Sequence, residues 1–169
     1  MQLVSTPPGA IAGTDRLVLQ ALRGLFIARR LREVPPAVVA ACRTLDDETL
    51  HALEDMLRAL ENGHIRPPEL RCLCQEHPSP DEELLLDVLA LQAEGRPDDA
   101  YAVLRFFTNE RAAALAGDAA LRVVLQLEAA GILMDRGADA VRRHAFAALL
   151  PLTIPGARQE QGAGACLPH

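Results

Sequence analysis

Residues 79–104 read SPDEELLLDVLALQAEGRPDDAYAVL, and this stretch decides the fold class. Ser79 is placed to accept a hydrogen bond from the unsatisfied backbone N–H groups of a helix that begins after it. Pro80 suits the first helical position, where no N–H is required, and Glu82 completes a capping box. Residues 84–93 continue that helix. Gly95 is placed to stop it, because glycine enters the left-handed conformation at a helix end without a side-chain penalty. Pro97-Asp98-Asp99 then opens a second helix, expected to run to about residue 116. Helix, glycine and helix in so short a span predict a helical hairpin as the building unit.

Reading outward towards the C-terminus, Gly117-Asp118 is expected to separate that second helix from another over 119–135. Gly137 divides it from a final helix over 139–150, and the Gly- and Pro-rich residues 153–169 read as a flexible tail. Towards the N-terminus, Pro67 and Pro68 are expected to restart a short helix through about residue 76. Before it, Asp46, Asp47 and Glu48 place negative charge at the start of a helix, where its dipole favours it. Leu50, Leu53, Met56, Leu57 and Leu60 recur there at helical spacing, and Gly63 is expected in a left-handed stop. Pro36 opens a short helix ending near residue 43. A first helix over 15–33, capped by Thr14 or Asp15, precedes it. Leu17, Val18, Leu19, Leu22, Leu25, Phe26, Ile27 and Leu31 cover most of its circumference. This helix is therefore expected to be central or covered by a partner, with Leu25 and Phe26 as candidate packing or partner-binding residues. The expected organisation is a flexible arm over 1–13, a single helical domain over 14–152 and the tail over 153–169.

Composition agrees with this pattern. Half of the 169 residues are hydrophobic, yet aromatics make up only 3% and tryptophan is absent. The core must be built from Leu, Ala and Val, and the first two are strong helix formers. The predicted class is all-α, with helical hairpins stacked as a short repeat-like array or as an irregular helical bundle. All 17 basic residues are arginines. A Schiff-base lysine and a G-x-x-x-x-G-K-[ST] phosphate loop are thereby excluded.

The net charge of −6 is unevenly spread: +4 over residues 1–43, −11 over 44–100 and +1 over 101–169. An acidic belt of this length repels a phosphate backbone, so nucleic acid is not an expected partner. The N-terminal residues lack the charge and apolar run of a signal peptide. The most apolar stretch, 17–31, carries Arg23, Arg29 and Arg30 and is too short and too charged to span a bilayer. A cytoplasmic protein without membrane insertion is expected, with its four cysteines reduced. Cys166 stands fourth from the C-terminus, but Pro168 and His169 fit a prenylation signal badly.

Candidate chemistry is sparse. His64, Cys72, Cys74 and His77 are the densest set of possible metal ligands, but their C-x-C spacing matches no standard zinc site. On a helix, residues two apart point about 200° away from each other. A buried Cys72, a half-exposed Cys74 and two surface histidines are expected, with no metal and no cofactor. Ser79 is better used as a cap than as a nucleophile, and Cys42 reads as a structural thiol. The acids from Glu54 to Asp87 are explained by capping and solvation. Glu48-x-x-His51 is one copy of a motif that a di-iron bundle needs twice.

Gly95-Arg96-Pro97-Asp98-Asp99-Ala100-Tyr101-Ala102-Val103-Leu104 resembles the turn of a tetratricopeptide repeat. Gly95, Ala100 and Leu104 match the family's glycine, small residue and large apolar residue. Leu91 stands where an aromatic is usual, and Ala112 where a proline is usual. The resemblance covers one unit of about 34 residues. It implies a non-enzymatic scaffold that binds another protein in a groove between helices. Small tetratricopeptide-like chaperones and adaptors of bacterial secretion systems are similar in size, charge and lack of catalytic motifs. The alternative expectation is a homo-oligomeric regulatory bundle, whose partner is the chain itself. A small metal-binding protein or enzyme ranks third.

Overall fold

The computed structural model describes residues 13–31, 34, 36–134 and 136. Six helices occur among them: α1 (Gly13–Ala28), α2 (Pro36–Cys42), α3 (Asp47–Asn62), α4 (Pro80–Ala93), α5 (Pro97–Leu104) and α6 (Glu110–Ala129). Among the described residues there is no strand, only an isolated antiparallel bridge between His64 and Thr108. The protein is all-α, and none of these helices is long and apolar enough to cross a membrane.

Local chemistry sets several boundaries as expected. Ser79 Oγ accepts from Glu82 N at 3.1 Å while the Glu82 carboxylate accepts from Ser79 N at 2.7 Å, so the capping box is complete. Asp46 caps α3 by accepting from Thr49 N at 2.8 Å. Gly95 has φ +69°. Arg96 N donates to Leu91 O and Gly95 N to Gln92 O, which closes the end of α4 in a Schellman motif. Gly131, at φ +73°, closes α6 in the same way, with Ile132 N donating to Leu127 O, so that this helix ends at Ala129 and not at the expected 135.

Four expectations fail for physical reasons. Gly63 is not left-handed: its φ is −111°. Glycine is required there by proximity, since a Cβ would overlap Ala112 Cβ and press on Thr108 Oγ1. Residues 67–76 are not a helix. Two of their backbone N–H groups are taken by carboxylates of α4, Glu69 N by Asp81 and Arg71 N by Glu82, in place of intrahelical partners. The helix opened by Pro97 stops at Leu104, because Asn109 starts the next one by accepting from Ala112 N at 3.0 Å. Gly117 is no break. It lies inside α6, where its carbonyl accepts from Gln92 Nε2 at 3.2 Å.

The core is centred on α4. Leu84, Leu85, Leu86, Val88, Leu89, Ala90 and Leu91 are all buried, as are Asp81, Glu82, Asp87 and Gln92, so this helix is enclosed on every side. It pairs with α5 and packs on α6, which lies most extensively against α3, while α2 folds onto α1. The middle of α1, from Val18 to Gly24, is buried except for half-buried Gln20, whereas Leu17 is exposed and Leu25 to Ala28 are half-buried. The most enclosed helix is therefore α4 and not α1. Of the expected arm over 1–13, residues 1–12 lie outside the described residues and Gly13 opens α1; the expected helix over 139–150 and the tail over 153–169 lie outside them entirely.

Candidate functional site

A charged cluster forms where α1, the 63–79 segment and the first turn of α4 meet. Arg23 stands in the apolar stretch of α1 and is 0% exposed. A guanidinium taken out of water must have its donors satisfied or it unfolds the helix that carries it. Here its Nε and Nη2 form a two-pronged bond with the Glu82 carboxylate, at 2.7 and 2.8 Å. Nη1 donates to Gln75 O at 2.6 Å and Nη2 also to His77 O at 3.2 Å. Glu82 accepts further bonds from Arg71 N at 2.8 Å and Ser79 N at 2.7 Å. Burial pushes the Glu82 carboxyl upward, but the bond from Arg23, with those from Ser79 and Arg71, holds it below the usual carboxylate value.

Two further arginines extend the cluster. Arg66 grips Asp81 with two bonds, at 2.6 and 2.9 Å, and its guanidinium lies 4.6 Å from the ring centre of Phe106. The α5–α6 turn is thus tied to the start of α4. Arg136 bonds Asp15 at 2.8 Å, Glu83 at 2.6 Å and Asp87 at 2.6 Å. It clamps the beginning of α1 against α4. Burial opposes its charge, yet these three carboxylates raise its already high pKa. Each carboxylate bound by Arg23, Arg66 or Arg136 is held by a permanent cation. Such pairs orient helices; they are poorly suited to moving protons.

The expected metal candidates take other roles. Cys72 and Cys74 are both exposed and are joined in a disulfide, with Cα atoms 5.4 Å apart. The expectation of reduced thiols, of a buried Cys72 and of side chains diverging on a helix is corrected: the segment is a loop, and a loop lets C-x-C converge. His64 is exposed, with Nδ1 2.7 Å from Glu61 O. His77 is exposed and offers its backbone carbonyl to Arg23 and Arg71. Among the described residues, no three His, Cys, Asp or Glu side chains are placed to hold a metal ion together. Cys42 is half-buried, and burial pushes its thiol pKa up. It borders an apolar groove of about 360 Å³ with Val38, Val39 and Leu50.

Ala100 and Leu104 are fully buried on α5, one helical turn apart beyond the Gly95 turn. Leu25 and Phe26 pack half-buried against the core. The Arg30 guanidinium covers the Phe26 ring at 3.7 Å, and Phe26 shares a groove of about 190 Å³ with Leu57, Leu60, Pro67 and Pro68.

Sequence reasoning missed Arg23, although an arginine amid so many apolar neighbours was the available signal. It also missed the outer face of α6. The inward face of that helix is Ala112, Ala113, Ala116, Ala119, Ala120, Val123, Val124 and Leu127. Leu115, Leu121 and Leu125 lie off that face and are 54%, 41% and 53% exposed. Around them stand exposed Arg111, Asp118, Arg122 and Glu128. No protein-family model, no curated protein and no solved structure matches this chain.

Proposed function

We propose that the chain is a non-enzymatic helical scaffold that binds another protein chain along the outer face of α6. The observation that carries this reading is the exposure of Leu115, Leu121 and Leu125 within one arc of a single helix. Isolated exposed leucines are ordinary, but three on one helical face, rimmed by charges of both signs, have the composition of an interface. The rest of the helix is firmly seated on α3 and α4, so the face is presented rigidly and costs little ordering on binding.

The charged cluster at α4 supports a structural role for the chain. Its carboxylates serve arginines and backbone N–H groups, leaving a stiff frame. The tetratricopeptide-like hairpin belongs to the same proposal: Gly95 turns the chain, and Ala100 and Leu104 bury at the α4–α5 contact. The eight residues of α5 are fewer than that family's second helix would use. A cytoplasmic setting and an adaptor or chaperone role are part of the proposal.

The test places a photo-crosslinking amino acid at position 121 of the full chain in its native host. An adduct with a protein chain is expected, and it must disappear when Leu115→Glu and Leu125→Glu are added. The absence of any adduct overturns the reading, as does an adduct unaffected by those substitutions.

A further inference from the structure

We infer that the α6 face is occupied by a second copy of this chain, packed antiparallel about a two-fold axis near residue 120. This deepens the proposed binding role and rests on it. Leu115, Asp118, Arg122 and Leu125 follow one another at spacings of three, four and three, which places them in a single seam along α6. All four are exposed.

The order of charges along that seam selects the direction of the second helix. In an antiparallel pair related by a two-fold axis, residue numbers facing each other have a constant sum. Centred on residue 120, Leu115 meets Leu125 of the second copy and Asp118 meets its Arg122, and the symmetry repeats both contacts. Arg111 comes within one residue of Glu128 of the second copy. Leu121 lies beside the axis and covers the flank of the Asp118–Arg122 pairs. A parallel pair would instead set Asp118 on Asp118 and Arg122 on Arg122, which repel.

The charges are available for this use. Arg111, Asp118 and Glu128 are exposed. Arg122 donates through Nη2 to Asp55 on α3 at 3.0 Å, and its side chain remains 55% exposed, so its other nitrogens can reach outward. One seam on one helix buries less than a standard interface, which places the dimer in the weak class.

Sedimentation of the full chain tests this. The wild type is expected to dimerise reversibly with a dissociation constant on the order of 10–100 µM. Asp118→Arg makes both seam charges positive and Arg122→Asp makes both negative. Each variant alone is expected to lose more than about tenfold in self-affinity. An equimolar mixture restores both opposite-charge contacts and is expected to dimerise again, within about threefold of wild type. That recovery cannot arise from misfolded variants.

A wild type that stays monomeric throughout overturns the inference. The crosslink at position 121 then separates the cases: an adduct with a different chain keeps the wider binding role, and no adduct removes both. A wild-type dimer indifferent to both reversals, or a mixture that fails to recover, also overturns the inference.

Discussion

The first turn of α4 and the outer face of α6 depart from the usual distribution of side chains in opposite senses. At α4, Arg23 and Glu82 are both removed from water, and the pair is closed by hydrogen bonds with Arg71, Gln75, His77 and Ser79 of the 63–79 segment. At α6, three leucines are left in water on a helix whose other side is fully packed. A buried ion pair contributes little net stability, because desolvation offsets the attraction; what it supplies is a unique arrangement of the elements that hold it. An exposed apolar face costs solubility and contributes nothing to the monomer. One region fixes the frame at the expense of stability, and the other reserves surface at the expense of solubility.

Removing one partner of the buried pair should have the largest effect. Arg23→Met strands Glu82 and should cost about 3–5 kcal/mol in urea unfolding. Adding Glu82→Gln removes the stranded charge while keeping one acceptor oxygen for Ser79 N or Arg71 N, so the double variant should be more stable than Arg23→Met alone. A double variant that is worse would mean that the cluster does not act as a pair.

Acid provides a second route to the same pair. The Glu82 carboxyl is depressed when folded, so its contribution is fully present above its unfolded value of 4.5 and is lost as pH falls through the folded one. In Arg23→Met the bonds from Ser79 and Arg71 remain but the cation is gone, so burial weighs more heavily and favours the protonated form. The stability gap between wild type and Arg23→Met should therefore narrow between about pH 7 and about pH 3. Urea midpoints across that range would show it, and a constant gap would contradict it.

Two glycines sharpen what holds the inner side of α6. Gly63→Ala forces a methyl group into Ala112 and should cost about 1–3 kcal/mol. Gly95→Ala meets no atom within 4 Å and bears only the positive φ, so about 1 kcal/mol is expected. Reversal of that order in thermal melts would mean that α3 and α6 can part to admit a methyl group.

The smallest effect belongs to the outer face. Leu115→Glu should alter monomer stability by no more than about 0.5 kcal/mol, because the side chain is already in water. A larger loss, measured at concentrations where the chain is monomeric, would show that this leucine supports the fold and is not reserved for a partner.

Much of the frame was legible in local sequence. The Ser79 capping box, the acidic start of α3 and the Gly95 stop depend on residues within a turn of one another, so spacing alone reveals them. The 63–79 segment was not legible, because Glu69, Arg71 and Ser79 give their backbone N–H groups to Asp81 and Glu82, and Ile65 and Arg66 give theirs to Phe107 O, rather than to a ladder of their own. The α5–α6 boundary was missed because Gly117 looked like the stronger punctuation than Asn109. A glycine that breaks a helix and one that lets a neighbour approach it look identical until the neighbour is known. Arg23 was read only as a charge that bars membrane insertion. Its partner stands 59 residues away, beyond any pattern of helical spacing.

That separation also sets a timetable for synthesis. A chain grows at about 5–20 residues per second, so roughly 3–12 s pass between the addition of Arg23 and that of Glu82. Over that interval the nascent α1 carries an unmatched cation in its most apolar stretch. The charge keeps the newborn helix in water and discourages it from sticking to other chains. Once Glu82 arrives, the same charge is drawn into the interior.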